Sequence, residues 1–274
     1  MAKAIKDPNF SLDRQHMKDT SFDPRRAALR LASALRAGTS IEALPEEERP
    51  ATLEEGYAVQ AGFVEQLGEG TAGWKLAGAS PRGLRGALPN PPATGVLIPS
   101  RVFASGAPVR LPAGRGATLE VEVSLRFSRE VSPADEAFDA ASMLAEASLA
   151  VEVVCSRYLD RKAVGQPSFV GDNVGFHALV RGDRLGFTAG SSFDGEAGLW
   201  REGDRIAASL AGDDRTNPFL SLAFLWDRLG KQRLHIAEGS VVTTGTLTVP
   251  VDVTQGGYYE ARLGDAKVAL TLAH

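Results

Sequence analysis

A single cysteine, Cys155, stands in a chain of 274 residues. An internal disulfide is therefore excluded, which fits a reducing compartment. No apolar run reaches the length of a membrane helix. The N-terminus lacks the apolar core of a secretory signal, so a cytoplasmic protein is expected. Excess positive charge is missing too. The formal net charge is -4, which removes any strong attraction to nucleic acid or anionic lipid. The familiar catalytic signatures are also absent. There is no G-x-S-x-G, no H-E-x-x-H and no Walker loop. His16, His177, His235 and His274 have no metal-ligand spacing, and Cys155 sits in an apolar run that suits an inert core thiol. Nucleophilic triads, zinc sites and nucleotide enzymes are thereby poorly supported. With 43% hydrophobic and 23% charged residues, the chain has the composition of an ordinary globular protein with a sizeable core.

What remains is carboxylates, one lysine and small polar residues in turns. The stretch Leu119–Leu125 alternates strictly, as a half-buried strand does. Its apolar residues share one face; Glu120, Glu122 and Ser124 share the other. Two carboxylates on one strand face repel unless water or a cation separates them. A wet strand face and half of a hard-metal site are both open readings, because Mg²⁺ and Mn²⁺ prefer oxygen ligands. Leu149–Cys155 is an apolar run with Glu152 in its middle. A buried carboxylate must be neutral, paired or metal-bound. Arg157 and Arg161 are nearby candidates for plain ion pairing. Lys75, between Trp74 and Leu76, is either a lysine snorkelling from a strand edge or a buried cation set against carboxylates.

Elements follow from capping and periodicity. Asp23-Pro24 opens a helix that ends at Gly38, and Thr52 with Glu55 has capping-box spacing for a second that stops near Gly68. The run Gly68–Gly73 matches G-x-G-x-x-G but follows a helix and opens a strand, the wrong context for a dinucleotide loop. Residues 80–111 read as loops with short strands, 135–149 as a helix, and Phe169–Phe176 as a strand broken by Asp172 and Asn173. Asn217-Pro218 opens another helix. Strands and turns fill 240–272, with Gly264-Asp265 as a hairpin turn.

Seven motifs in order resemble the 2-oxopent-4-enoate hydratase and 4-oxalocrotonate decarboxylase branch of the fumarylacetoacetate hydrolase superfamily. They are Thr52–Gln60, Gly73-Trp74-Lys75, Glu120-Val121-Glu122, Val151–Tyr158, Gly171-Asp172-Asn173, Asn217-Pro218 and Thr244–Thr248. The resemblance implies an α+β fold, a mixed β-sandwich roll behind a helical N-terminal part. The chain is expected to divide into an extension over 1–22, a helical part over 23–79 and a β-rich catalytic domain over 80–274. The resemblance implies Mg²⁺ or Mn²⁺ held by Glu120, Glu122 and Glu152, with Lys75 bringing the charge to neutrality. The expected activity is a metal-dependent lyase, a hydratase of a small 2-hydroxydienoic or 2-oxo-enoic acid in aromatic-compound degradation. A 4-oxalocrotonate-type decarboxylase and a non-catalytic partner subunit are the alternatives. Lys75 and Asp172 are the candidate catalytic residues, Thr246 and Asn173 the candidate substrate contacts, and a homo-oligomer is expected. Two departures stand out: Ala93 replaces an acid, and Gly175 replaces a serine, that members of the family often carry.

Overall fold

The structure is a computed structural model that describes residues 22–188 and 191–274. The expected extension lies outside the described residues except for Phe22. Helix α1 (Pro24–Ala37) begins where the Asp23 side chain caps the backbone, and it ends at Gly38 in the left-handed region. Helix α2 (Leu53–Leu67) has the complete capping box of Thr52 and Glu55. The two helices bury Ala28, Leu31, Val59 and Phe63 against each other and Tyr158.

Strands β1 (Gly73–Ala77), β2 (Ala93–Leu97), β3 (Val102–Ala104), β4 (Pro108–Arg110) and β5 (Ala117–Phe127) come next, with a short helix α3 (Pro81–Leu84) after β1. They are succeeded by α4 (Ala140–Met143), β6 (Leu144–Val154), α5 (Gly165–Gly171), β7 (Phe176–Leu185), β8 (Ala197–Arg201) and β9 (Asp204–Ala208). Helix α6 (Pro218–Lys231) and strands β10 (Val241–Thr246), β11 (Val251–Val253), β12 (Gly257–Leu263) and β13 (Ala266–Ala273) complete the chain. One sheet runs β2-β1-β10-β5-β6-β7-β3, with β11 also paired to β5; the other runs β4-β13-β12-β8-β9.

The sheets pack face to face, which is the expected mixed β-sandwich. Leu119, Val121, Val123 and Leu125 of β5 share a core with Leu199, Tyr259, Ala261, Val268 and Leu270 of the smaller sheet. The opposite face of β5 carries Glu120, Glu122 and Ser124. It is not a wet face, because Glu122 and Ser124 are completely buried. Strand β1 lies within the stretch assigned by sequence to the helical part, yet it pairs with both β2 and β10 in the large sheet. The Gly264-Asp265 turn joins β12 to β13 as expected.

Two expectations are corrected. Residues 135–149 are not one helix: only Ala140–Met143 is helical, and Leu144 onward is strand. Strand β6 is buried on both faces, so it lacks the polar alternation that marks a strand in sequence. Phe169–Phe176 is not a strand either. Phe169 to Gly171 end α5, Asn173–Gly175 form a tight turn, and strand begins only at Phe176. Strands β8 and β9 were not anticipated from the sequence.

Helix α2 is pinned to the large sheet and to α5 by a buried glutamine. Gln60 Nε2 donates to the carbonyls of Thr94 on β2 and Val170 on α5, at 2.9 and 3.0 Å. Gly73, the last glycine of the G-x-G-x-x-G run, has φ 136° where β1 meets β10. A Cβ there would lie 1.8 Å from the Val241 carbonyl oxygen. Gly73→Ala is expected to cost at least about 2–3 kcal/mol by overpacking and backbone strain. Urea unfolding checks it; an unchanged midpoint would show that the strand junction tolerates a side chain.

Candidate metal centre

The three glutamates flagged in the sequence converge because two strands put them there. Glu120 and Glu122 lie two residues apart on β5, hence on one face. Antiparallel pairing sets Glu152 of β6 directly opposite Glu120. Carboxylate oxygens of the three lie within 4.8 Å of one another. Glu122 and Glu152 are fully buried and Glu120 is half-buried.

Lys75 enters from β1 and is 1% exposed, so the snorkelling alternative does not hold. Its Nζ lies 2.5 Å from Glu152 Oε1 and donates to the Val174 carbonyl at 3.2 Å. Glu122 is held from the other side, where the backbone N–H of Gly245 donates to its Oε2 at 2.8 Å. That N–H is available because β10 slips register against β5 between Thr243 and Thr246. Glu122 Oε1 and Glu152 Oε2 have no hydrogen-bond partner.

Three carboxylates around one lysine leave surplus negative charge in a buried site. Burial, reinforced by the neighbouring charges of Glu152 and Glu120, pushes the Glu122 carboxyl well above the usual range. Burial also raises Glu152, with Lys75 opposing. An all-oxygen donor set, partly orphaned and short of positive charge, fits a hard divalent cation.

Glu120 and Lys75 line a pocket of about 490 Å³. Part of its wall is apolar, from Ala93, Val154, Phe169 and Val174. Of the two sequence departures, Ala93 lines that wall. Gly175 has φ 68°, and a Cβ there would meet Val154 Cγ1 at 2.8 Å and Phe169 Cε2 at 3.0 Å. The serine side chain is thus displaced by packing.

The remaining candidates do other work. Asp172 is buried, accepts from Ser156 Oγ at 2.6 Å and the Arg157 backbone N–H at 3.0 Å, and pairs with the Arg157 guanidinium. It does not line the pocket, so the proton-donor role expected for it is withdrawn; it is a clamp on the segment after β6. Arg157 is consumed by that clamp and does not pair with Glu152, and neither does Arg161. Asn173 mimics a strand residue: its side chain accepts from Val96 N–H at 2.7 Å and donates to the Val96 carbonyl at 2.8 Å. The Thr246 hydroxyl donates to the Thr248 carbonyl at 2.8 Å and accepts from the Thr248 N–H. Both residues shape the site, and neither lines the pocket. Gln60 and Tyr57, whose hydroxyl accepts from Thr94 N–H at 3.1 Å, lie in the Thr52–Gln60 motif, but neither was read from sequence as a residue that builds the site. The available signal was a glutamine beside the buried stripe of Val59 and Phe63.

Comparison with known proteins points the same way. The chain is 27% identical over 262 residues to a 2-keto-4-pentenoate hydratase of Burkholderia vietnamiensis strain G4, covering 89% of this chain and 96% of that one. It superposes on the 4-oxalocrotonate decarboxylase from Pseudomonas putida G7, solved with magnesium and adipate, with a TM-score of 0.78 at 20% identity. That match covers 91% of this chain and 97% of the other. The fold is that of the fumarylacetoacetate hydrolase superfamily. The resemblance to its hydratase and decarboxylase branch holds in sequence and in structure. A protein from Yersinia pestis CO92 described as of the fumarylacetoacetate hydrolase family matches more distantly, with a TM-score of 0.52, 15% identity, and coverage of 73% of this chain and 92% of that one. No family model matches the chain.

The geometry generates two expected outcomes. Because folding raises the Glu122 carboxyl, the unfolded chain releases that proton at lower pH, and the metal-free fold loses stability as pH rises above the usual carboxylate range. In EDTA, Glu122→Gln should therefore gain in melting temperature relative to the wild type as pH rises above the usual carboxylate range. A pH-independent difference would mean that Glu122 is not held in this way. Asp172→Asn, which strands the buried Arg157, should cost about 3–5 kcal/mol in stability; normal denaturant stability with lost turnover would restore the catalytic role.

Proposed function

We propose that the chain is a divalent-metal-dependent lyase acting on a short 2-hydroxydienoic or 2-oxo-enoic acid. The observation that carries this is the buried glutamate trio, with unpartnered oxygens, beside a pocket that Lys75 shares. Glu120, Glu122 and Glu152 would hold the ion, Mg²⁺ or Mn²⁺. Such an ion, when bound, supplies Lewis-acid stabilisation of negative charge on a 2-oxo oxygen. Lys75 Nζ engages one carboxylate and one carbonyl, which leaves one of its three N–H groups for the substrate. That group holds or moves a proton at the reacting carbons. The apolar wall excludes water from their far side. Asn173 and Thr246 contribute by fixing β2 and the turn after β10, and Gly245 N–H by orienting Glu122.

Hydration is the first reading, supported by the similarity to the Burkholderia hydratase. Decarboxylation is the second, and Ala93 and Gly175 favour it: where members of the family often carry an acid and a serine, these two residues offer no group to direct water. The similarity to the Pseudomonas decarboxylase, solved with magnesium, supports it too.

Ultraviolet assays on 2-hydroxypenta-2,4-dienoate and on 4-oxalocrotonate, each with Mg²⁺ or EDTA, separate these readings. Turnover that EDTA abolishes is expected on one of them; metal binding without turnover of either would favour a binding or partner protein. Glu152→Gln should weaken Mn²⁺ binding at least about tenfold while the fold persists, because a carboxylate ligand is lost. Lys75→Met should keep the ion and lose about 10²–10⁴ in kcat. Unchanged Mn²⁺ affinity in the first variant, or normal kinetics in the second, would remove that residue from the mechanism.

A further inference from the structure

Three successive residues of the turn between α5 and β7 lie in the left-handed region: Asn173 with φ 52°, Val174 with φ 52° and ψ 34°, and Gly175 with φ 68°. Asparagine and glycine tolerate that conformation. A β-branched side chain does not, and it occurs there only where its surroundings compel it. Val174 is the one β-branched residue with positive φ among the described residues. It is buried, and it lines the pocket beside Lys75. The conformation is enforced from both sides. Before the valine, the Asn173 side chain bolts the turn to the backbone of Val96 on β2. After it, the Gly175 carbonyl accepts from Cys155 N–H at 2.9 Å.

What the strain yields is a carbonyl aimed at a side chain. Carbonyls inside a sheet are consumed by the ladder, so an acceptor for a buried lysine must come from backbone that leaves it. The Val174 carbonyl is that acceptor, at 3.2 Å from Lys75 Nζ. An ammonium group on a flexible four-carbon stem has no fixed direction of its own. Two acceptors on different elements give it one: the Glu152 carboxylate on β6 and the Val174 carbonyl on the turn. Lysine and turn are also built against each other. Gly95 faces Lys75 across β1 and β2, and a Cβ there would lie 2.8 Å from Lys75 Cγ and 2.9 Å from the Asn173 carbonyl oxygen. We infer that Val174 is a positioning residue, held in a left-handed conformation by Asn173 so that its carbonyl fixes the Lys75 ammonium with one N–H directed into the pocket. What that N–H does there rests on the function proposed above; the hold on Lys75 does not.

Nitrogen-15 NMR of the lysine ammonium groups in the full chain with Mg²⁺ tests this. Lys75, buried and doubly hydrogen-bonded, should exchange its protons slowly enough to give a resolved signal, with a coupling through the hydrogen bond to the Val174 carbonyl carbon. Lys75→Met identifies that signal by its loss. A wild-type spectrum without the signal, or without the coupling, overturns the inference whether or not any variant folds. A double-mutant cycle tests the strain. Asn173→Ala removes the bolt; it should erase the Lys75 signal and lower kcat about tenfold to a hundredfold, with KM within about threefold of wild type, as loss of orientation does. In a Val174→Gly background the left-handed conformation carries no steric cost, so the same Asn173→Ala should lower kcat by less than about threefold. Equal losses in the two backgrounds would show that Asn173 does not work against the strain of the valine, and the inference falls. If the signal and coupling are present but neither 2-hydroxypenta-2,4-dienoate nor 4-oxalocrotonate is turned over with Mg²⁺, the proposed lyase activity fails while the hold on Lys75 stands.

Discussion

The constraint on which the site depends is the crowding of three carboxylates, two of them fully buried, around one buried ammonium group. Glu122 and Glu152 are completely buried, Lys75 nearly so, and the lysine answers only part of the negative charge. Buried charge of this kind is tolerated when protons or a cation make up the deficit. The orphaned oxygens of Glu122 and Glu152 define where such a cation fits, and the half-buried Glu120 connects the cluster to the pocket.

Keeping like charges together requires a scaffold that does not relax away from them. The sheet supplies it through register. Glu120 faces Glu152 across β5 and β6, and a slip of β5 by one residue would turn Glu120 and Glu122 toward the sandwich core. Three local devices lock the surroundings. The irregular β10 presents Gly245 N–H to Glu122; the Asp172–Arg157 pair ties the segment after β6 to the turn before β7; and Gln60 joins α2 to β2 and α5. None of these groups lines the pocket. Each fixes the backbone that carries a residue of the site.

Legibility in the sequence obeys the same physics. The alternation of β5, the capped helices and the glutamate inside an apolar run were legible because each is a local pattern with one structural meaning. Strand β6 showed in sequence only as the apolar run at its C-terminal end: Ala147 to Val154 are buried on both faces, and Leu144–Ala147 has the composition of a helix as much as of a strand. The helix end before the Asp172-Asn173 turn was misread as strand for a related reason. Val170, Val174 and Phe176 are buried in a helix end, a turn and a strand in succession, and in sequence they imitate one strand. The roles of Asp172, Asn173 and Thr246 depend on distant partners, namely Arg157, Val96 and the bulged β10, which no spacing along the chain exposes. Lys75 needed the neighbouring strand as well, since it becomes a cation for Glu152 only once β1 lies beside β10.

The division of labour across β5 explains how the fold tolerates such a site. One face of the strand is given wholly to the sandwich, where Leu119, Val121, Val123 and Leu125 pack against the second sheet. That burial supplies stability that does not depend on the other face. The polar face is then free to hold residues in an arrangement that costs stability in the absence of a cation, which is the usual relation between a functional site and its scaffold. The departures at Ala93 and Gly175 are consistent with it. Ala93 leaves the pocket wall without a polar group at that place, and Gly175 lets Val154 and Phe169 approach the backbone behind it. The charged groups of the site are thereby concentrated on the glutamate cluster and Lys75, where register and burial, rather than the pocket wall, fix their positions.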